Sequence, residues 1–88
     1  MSIAQQDATL QAQVNALQAA GVLTAKQANI LLADLSLQGN SGDVGKLGSF
    51  LNDVNGYLKS GVLTQAQANA LLGPGKILLL GLKVQYGA

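Results

Sequence analysis

Residues 21–28 read Gly-Val-Leu-Thr-Ala-Lys-Gln-Ala, and residues 61–68 read Gly-Val-Leu-Thr-Gln-Ala-Gln-Ala. The likeness extends to both sides of this segment. When residues 14–32 are aligned with residues 54–72, 11 of the 19 positions carry the same residue. A self-match at a fixed spacing is the mark of a duplicated unit. We therefore predict an internal repeat with an offset of 40 residues.

The shared segment is typical of a turn between two helices. Gly21 stands where a helix ends in the left-handed conformation, and Val22 follows at the position that packs back on that helix. Thr24 is a favourable N-cap, and Gln27 three residues later completes a capping box for the next helix. Residues 61–67 have the same residue types at the same places, so we predict the same turn twice.

Apolar residues on either side of these turns recur at helical spacing. Before the second turn this stripe consists of Leu47, Phe50, Leu51, Val54, Tyr57 and Leu58. The patterns predict helices near residues 4–20, 24–37, 43–60 and 64–72. They form two related αα-hairpins, at 10–32 and 50–72, within one domain that spans residues 1–88. The predicted fold class is all-α, a four-helix arrangement in which the hairpins bury their apolar faces against each other.

The third helix contains several glycines, which are unfavourable inside a helix. Gly42, Gly45 and Gly48 recur every three residues and so share one side of the helix. We expect a neighbouring helix to approach closely there. The alternative is that this helix starts later than residue 43. Asp43 is expected to face the positive end of the helix dipole.

Residues 73–88 form an apolar tail after a Gly-Pro-Gly sequence at 73–75, which we expect to end the fourth helix. Residues 77–80 are a continuous apolar run. Beyond it the pattern fits either an alternating strand or a helix that continues past a proline kink, and the sequence leaves both open. The alternating set is Leu82, Val84 and Tyr86, and the helical set is Leu72, Leu79 and Leu82.

The composition excludes several classes of function. The chain has five Lys, four Asp, and no Arg, Glu, His, Cys or Trp. Without His or Cys, the common nucleophile pairs, the usual zinc sites and disulfides are ruled out. A net charge of +1 gives no basic stripe for nucleic acid. We predict a protein that is not an enzyme, with no catalytic residue, cofactor, metal or small-molecule substrate.

Two weaker features have simple structural explanations. Asp53 and Asn55 resemble the start of a calcium loop, but Tyr57 and Thr64 stand where further ligands are needed. We therefore expect Asp53 and Asn55 to face solvent. The N-terminal sequence has neither the basic start nor the apolar core of a signal peptide, and no run of about 18 apolar residues predicts a membrane span.

A tail this apolar is not expected to remain a flexible end in water. We predict that it contacts a protein partner or a second copy of the chain, and that the helical core folds without residues 74–88. The alternative is a membrane-surface-active domain, to which Lys76 and Lys83 contribute only weak attraction for anionic lipid. The candidate interaction residues are Ile77, Leu78, Leu79, Leu80, Leu82, Val84 and Tyr86.

The chain also resembles the FIMAH domain, a small helical module of secreted bacterial proteins. The resemblance covers residues 10–72 and departs from the family at Val54, where the naming motif has His. It implies a non-catalytic accessory module of an exported bacterial protein, extracellular or at the cell surface, and it transfers no catalytic residue. The matching segments lie at residues 14–17, 21–23, 39–41, 50–51, 54–55 and 61–64.

Overall fold

The computed structural model describes residues 1–87 and contains no strand among them. Its helices are α1 (Ile3–Ala19), α2 (Ala25–Asp34), α3 (Gly42–Lys59) and α4 (Gln65–Tyr86). The predicted all-α class is confirmed. Ala88, the last residue of the predicted domain and tail, lies outside the described residues.

The four helices pack in a ring. Helix α1 contacts α2 and α4, and α3 contacts the same two helices, with the most extensive interface between α3 and α4. The chain measures 36 × 21 × 21 Å. A helix of 22 residues is about 33 Å long, so α4 extends along most of the long dimension.

Both turns have the geometry that the sequence predicts. Gly21 and Gly61 adopt φ angles of +77° and +83°, in the left-handed region. The N–H groups of the two residues that follow, Val22 and Val62, each donate to the helix carbonyl five residues earlier at 2.9 Å. The side chains of Thr24 and Thr64 then close capping boxes with Gln27 and Gln67. Both copies of the sequence repeat therefore have the same local structure.

The core draws on all four helices and on both turns. Phe50 is its largest member and is fully buried. Leu23 and Leu63 each come directly before the N-cap residue of a turn, and both are buried. Each turn is therefore anchored to the core between the two helices that it connects. The buried apolar side chains are Leu10, Val14, Leu23, Ala28, Leu31, Leu35, Leu47, Phe50, Val54, Leu63, Ala68, Leu71, Leu72, Leu78 and Leu82.

The fourth helix does not end at residue 72, and that prediction is wrong. Helix α4 continues through Pro74 to Tyr86, so the alternative of a helix that continues past the proline is confirmed and the strand alternative is wrong. Pro74 lacks the N–H that would bond the carbonyl of Ala70, which costs about 3 kcal/mol in a helix interior. The continuation buries Leu78 and Leu82 completely. Burial of two leucines contributes about 1.5–3 kcal/mol each, which offsets that cost.

The glycines of α3 do not mark a close helix contact, contrary to our expectation. A Cβ atom placed on Gly45 or Gly48 would have no neighbouring atom within 4 Å. A Cβ on Gly42 would meet only the side chain of Asn40, in the turn before the helix. Because α3 begins at Gly42, the alternative of a later start is wrong as well.

The close approach lies instead at Gly75, on the buried side of α4. A Cβ atom there would lie 2.9 Å from Cδ2 of Leu51 and 3.2 Å from Cε2 of Phe50. Glycine therefore allows α4 to pack tightly on α3 immediately after the proline. The tail residues that follow are directed into the core by this contact.

Asp43 connects the start of α3 to the preceding loop. Its buried carboxylate accepts hydrogen bonds from the backbone N–H groups of Gln38 and Gly39 at 2.8 Å and of Asn40 at 3.3 Å. Burial by itself would raise the pKa of Asp43, but these three donors hold the pKa below its ordinary value. Its predicted place in the first turn of the helix is confirmed.

Candidate interaction surface

Helix α4 has two apolar faces, one that packs on the core and one that faces solvent. Its inner face contains Gly75, Leu78 and Leu82, which are buried. Its outer face presents Ile77, Leu80 and Val84 to solvent, with 65%, 63% and 81% of their surfaces exposed. Large apolar side chains of a surface helix normally face the core, so a line of exposed ones is the unusual feature of this molecule.

The exposed residues of this face follow one regular spacing. From Ala66 to Val84 the intervals alternate between four and three residues, which is the spacing of the a and d positions of a heptad repeat. All six positions are exposed and none is polar. We call this set the outer seam, and it consists of Ala66, Ala70, Gly73, Ile77, Leu80 and Val84.

The two borders of the outer seam differ in charge. With 100° per residue, Asn69, Lys76 and Lys83 follow one border, and all three are exposed. Gln67, Pro74 and Gly81 follow the other border, which carries no charge. The seam therefore has one cationic side and one uncharged side.

Two open grooves between α1 and α4 adjoin the outer seam. One, of about 400 Å³, contains Ile77 of the seam, and the other, of about 380 Å³, contains Ala66 and Ala70. The first groove is lined by Met1, Gln6, Thr9, Pro74 and Ile77. The second is lined by Gln13, Ala16, Leu17, Ala66, Gln67, Ala70 and Leu71. The apolar surface of α4 thus continues towards α1.

The structure divides the seven predicted interaction residues into two groups. Ile77, Leu80 and Val84 are exposed and lie together on the outer seam. Leu79 and Tyr86 are half-buried against the core, and Leu78 and Leu82 are core residues that no partner can reach. The inner half of the tail is part of the core, which argues against the expectation that the helical core folds without residues 74–88.

The outer seam is not apparent from the sequence alone, because the Gly-Pro-Gly sequence at 73–75 locally predicts the end of a helix. The signal that could have found it is the alternation of four and three that continues through Pro74. Once the helix is known to continue, the small residues before the proline and the large residues after it fall on one line.

A second polar feature lies between α2 and α3. Asp34 of α2 and Asp53 of α3 are neighbouring carboxyl groups, and both residues are half-buried. Burial raises the pKa of Asp34 to about 7, with a further contribution from Asp53, while Lys46 opposes the shift. Oδ2 of Asp34 is buried and has no hydrogen-bond partner, so the protonated form of Asp34 avoids an unpaired buried charge.

Asp53 is half-buried, and the expectation that it faces solvent is wrong, whereas Asn55 is exposed as expected. Sequence analysis did not find the Asp34–Asp53 pair because the two residues belong to different helices. The available signal was Asp34 itself, which lies three residues after the buried Leu31 and beside the buried Leu35. A carboxyl group on an apolar stripe needs a partner when it is buried.

A carboxyl group with a pKa near neutral pH has the chemistry of a general acid or base. Neither of the two grooves along α4 contains Asp34 or Asp53. Burial, and then the two aspartates, raise the pKa of the neighbouring Tyr57 hydroxyl. Within residues 1–87, no three acidic, His or Cys side chains come together as a metal site would require. The pair is a contact between α2 and α3.

None of the helices in the described part of the chain has the length and apolar character needed to cross a membrane.

Comparisons with known proteins do not assign the chain to a family: no family model matches it, and neither the curated proteins nor the solved structures include a significant match.

Proposed function

We propose that this protein is a non-catalytic interaction module whose contact surface is the outer seam of α4. The observation that supports this most directly is the exposure of Ile77, Leu80 and Val84 on one face. Single exposed apolar residues are normal on protein surfaces. Three large ones in line, continued by small residues and open grooves, make a contiguous patch of the kind that marks a protein contact.

The outer seam is not needed to stabilise the helix bundle. Its large side chains remain mostly in water when the chain is folded, so they contribute little burial energy to folding. Exposed apolar side chains lower the solubility of the protein, and a bound partner removes them from water. The absence of His and Cys from the sequence also favours a binding role over catalysis.

The setting that we propose is an accessory module of an exported bacterial protein, extracellular or at the cell surface. Its support is the resemblance to the FIMAH domain over residues 10–72. The two turns that give the strongest part of this resemblance, at 21–23 and 61–64, are structural elements. They concern the scaffold of the module, while the outer seam lies on the helix that extends beyond it.

The test is position-specific cross-linking in cells that make the protein. A benzophenone side chain replaces Leu80 of the full chain, and Asn52, an exposed residue of α3, is the matched control position. We expect protein adducts from position 80, and likewise from 77 and 84, but not from position 52. Adducts of equal yield from both helices, or none from the three seam positions, would overturn the proposal.

A membrane surface is the other occupant that the test must detect, because Lys76 and Lys83 border the seam. Co-sedimentation with vesicles of anionic phospholipid measures it directly. Two lysines contribute only about 1 kcal/mol each near an anionic surface, so we expect no sedimentation at physiological salt. Sedimentation with vesicles, combined with no protein adduct at position 80, would replace the proposed function with the membrane one.

A further inference from the structure

We infer that the partner of the outer seam is a second copy of this chain, paired antiparallel along α4. The inference rests on the proposed function, because it names the molecule that covers the same surface. It is carried by the order of residue sizes along the seam. Before the proline the seam positions are small (Ala66, Ala70, Gly73), and after it they are large (Ile77, Leu80, Val84).

An antiparallel pair brings every small residue opposite a large one. With a two-fold axis level with residue 75, Ala66 faces Val84 of the second copy, Ala70 faces Leu80 and Gly73 faces Ile77. Each pairing joins an a position to a d position, as facing heptad seams require. The two helices then keep one spacing over their whole length, and the surface is complementary to itself, as a two-fold interface demands.

A parallel pair uses the same seam less well. It sets Ala against Ala and Gly against Gly in one half, and the three large residues against their own copies in the other. One helix spacing cannot fill both halves, and unfilled layers forfeit dispersion contacts. The β-branched residues at a and the leucine at d are typical of parallel two-stranded coiled coils, but the order of sizes along the whole seam favours the antiparallel pair.

The borders of the seam are compatible with this pairing. Lys83 comes beside Asn69 of the second copy, where an amide oxygen can accept from the ammonium group. Pro74 and Gly81 allow close approach on the uncharged side. The two Lys76 side chains lie near the axis on the cationic side, and because both are exposed their repulsion is weak and screened by salt.

The size of the interface sets the strength of the association. The outer seam is about 27 Å long, and a face about 10 Å wide on each copy buries on the order of 500–600 Å² in total. The grooves beside α1 add to this area. The area of the seam alone lies below the about 1,000 Å² of stable specific interfaces, so the dimer is reversible and weak.

The test uses cysteine substitutions, since the chain has no native cysteine. Ala66 and Val84 are both exposed and lie about 27 Å apart along the helix. A disulfide requires Cα atoms within about 7 Å of each other. In the antiparallel pair, A66C therefore cross-links to V84C and neither variant cross-links to itself. Asn52→Cys on α3 is the control for random collision.

We expect that mild oxidation of an A66C and V84C mixture gives at least tenfold more disulfide dimer than either variant alone or N52C. Self-cross-linking of A66C and V84C separately would show a parallel pair and overturn the antiparallel inference. No cross-linking above the N52C level, with the unmodified chain monomeric by sedimentation up to about 1 mM, would overturn pairing with a second copy. In that case, adducts of other masses from position 80 in cells would leave the proposed function standing.

Discussion

At the scale of single residues, the least expected feature is the pair of carboxyl groups between α2 and α3. An Asp whose pKa is raised in the folded state destabilises that state once it ionises. Burial and the neighbouring Asp53 raise the pKa of Asp34 to about 7, from a model-peptide value of 3.8. The folded chain therefore binds more protons than the unfolded chain between these two pH values. The contribution of Asp34 to stability is fully present below about pH 4 and is lost as the pH rises through 7.

We expect the D34N variant to be more stable than the unmodified protein at pH 8, by about 1–2 kcal/mol after allowance for solvent screening. An amide at this position does not ionise, so the variant loses the Asp34 part of the pH dependence. Urea unfolding of both proteins at pH 5 and pH 8 measures the difference. The pKa of Asp7 is also raised, by burial first, so a smaller dependence in the same direction remains in the variant. An identical pH dependence in the two proteins would contradict the raised pKa of Asp34.

At the scale of secondary-structure elements, the contact of α4 with α3 depends on one glycine. Replacing glycine by alanine inside a helix normally stabilises the protein by about 0.5–1 kcal/mol. At Gly75 the added Cβ would press on the side chains of Phe50 and Leu51, and overpacking costs about 1–3 kcal/mol. The buried ring of Phe50 has less room to move than the half-buried Leu51.

We therefore expect G75A to be less stable than G56A by about 1–3 kcal/mol, although the substitution is the same. Gly56 is the matched control because it lies inside α3 with nothing within 4 Å of an added Cβ. Thermal or urea unfolding of the two variants side by side gives the difference. If G75A gains as much stability as G56A, then α3 and α4 do not approach closely at this point.

The elements also show which parts of the fold are predictable from sequence. The two turns were predicted in detail because their chemistry is local, with each capping box closed within four residues. The continuation of α4 past Pro74 was only one of two alternatives for the tail, because local rules favour a helix end there. What decides it is the burial of Leu78 and Leu82 against residues far away in sequence. The Asp34–Asp53 contact is not predictable from the sequence for the same reason, because it forms only when α2 packs on α3.

At the scale of the whole molecule, α4 contributes one face to the core and one face to the exposed surface. Its inner face completes the core of the four-helix bundle, and its outer face is left for another molecule. The location of the candidate site in the apolar tail was therefore predictable from the sequence. The division of the tail into buried and exposed sides required the helical geometry. Both the proposed function and the antiparallel pair depend on this division.

The most direct test of that division compares the unfolding free energies of L78A and L80A at a concentration where the chain is monomeric. The two variants make the same substitution two residues apart on the same helix. We expect L78A to lose about 2–5 kcal/mol because it leaves a cavity in the core, and L80A to lose less than about 1 kcal/mol. Equal losses, or the larger loss in L80A, would mean that the outer face is part of the core, and the account of α4 as a binding surface would be wrong.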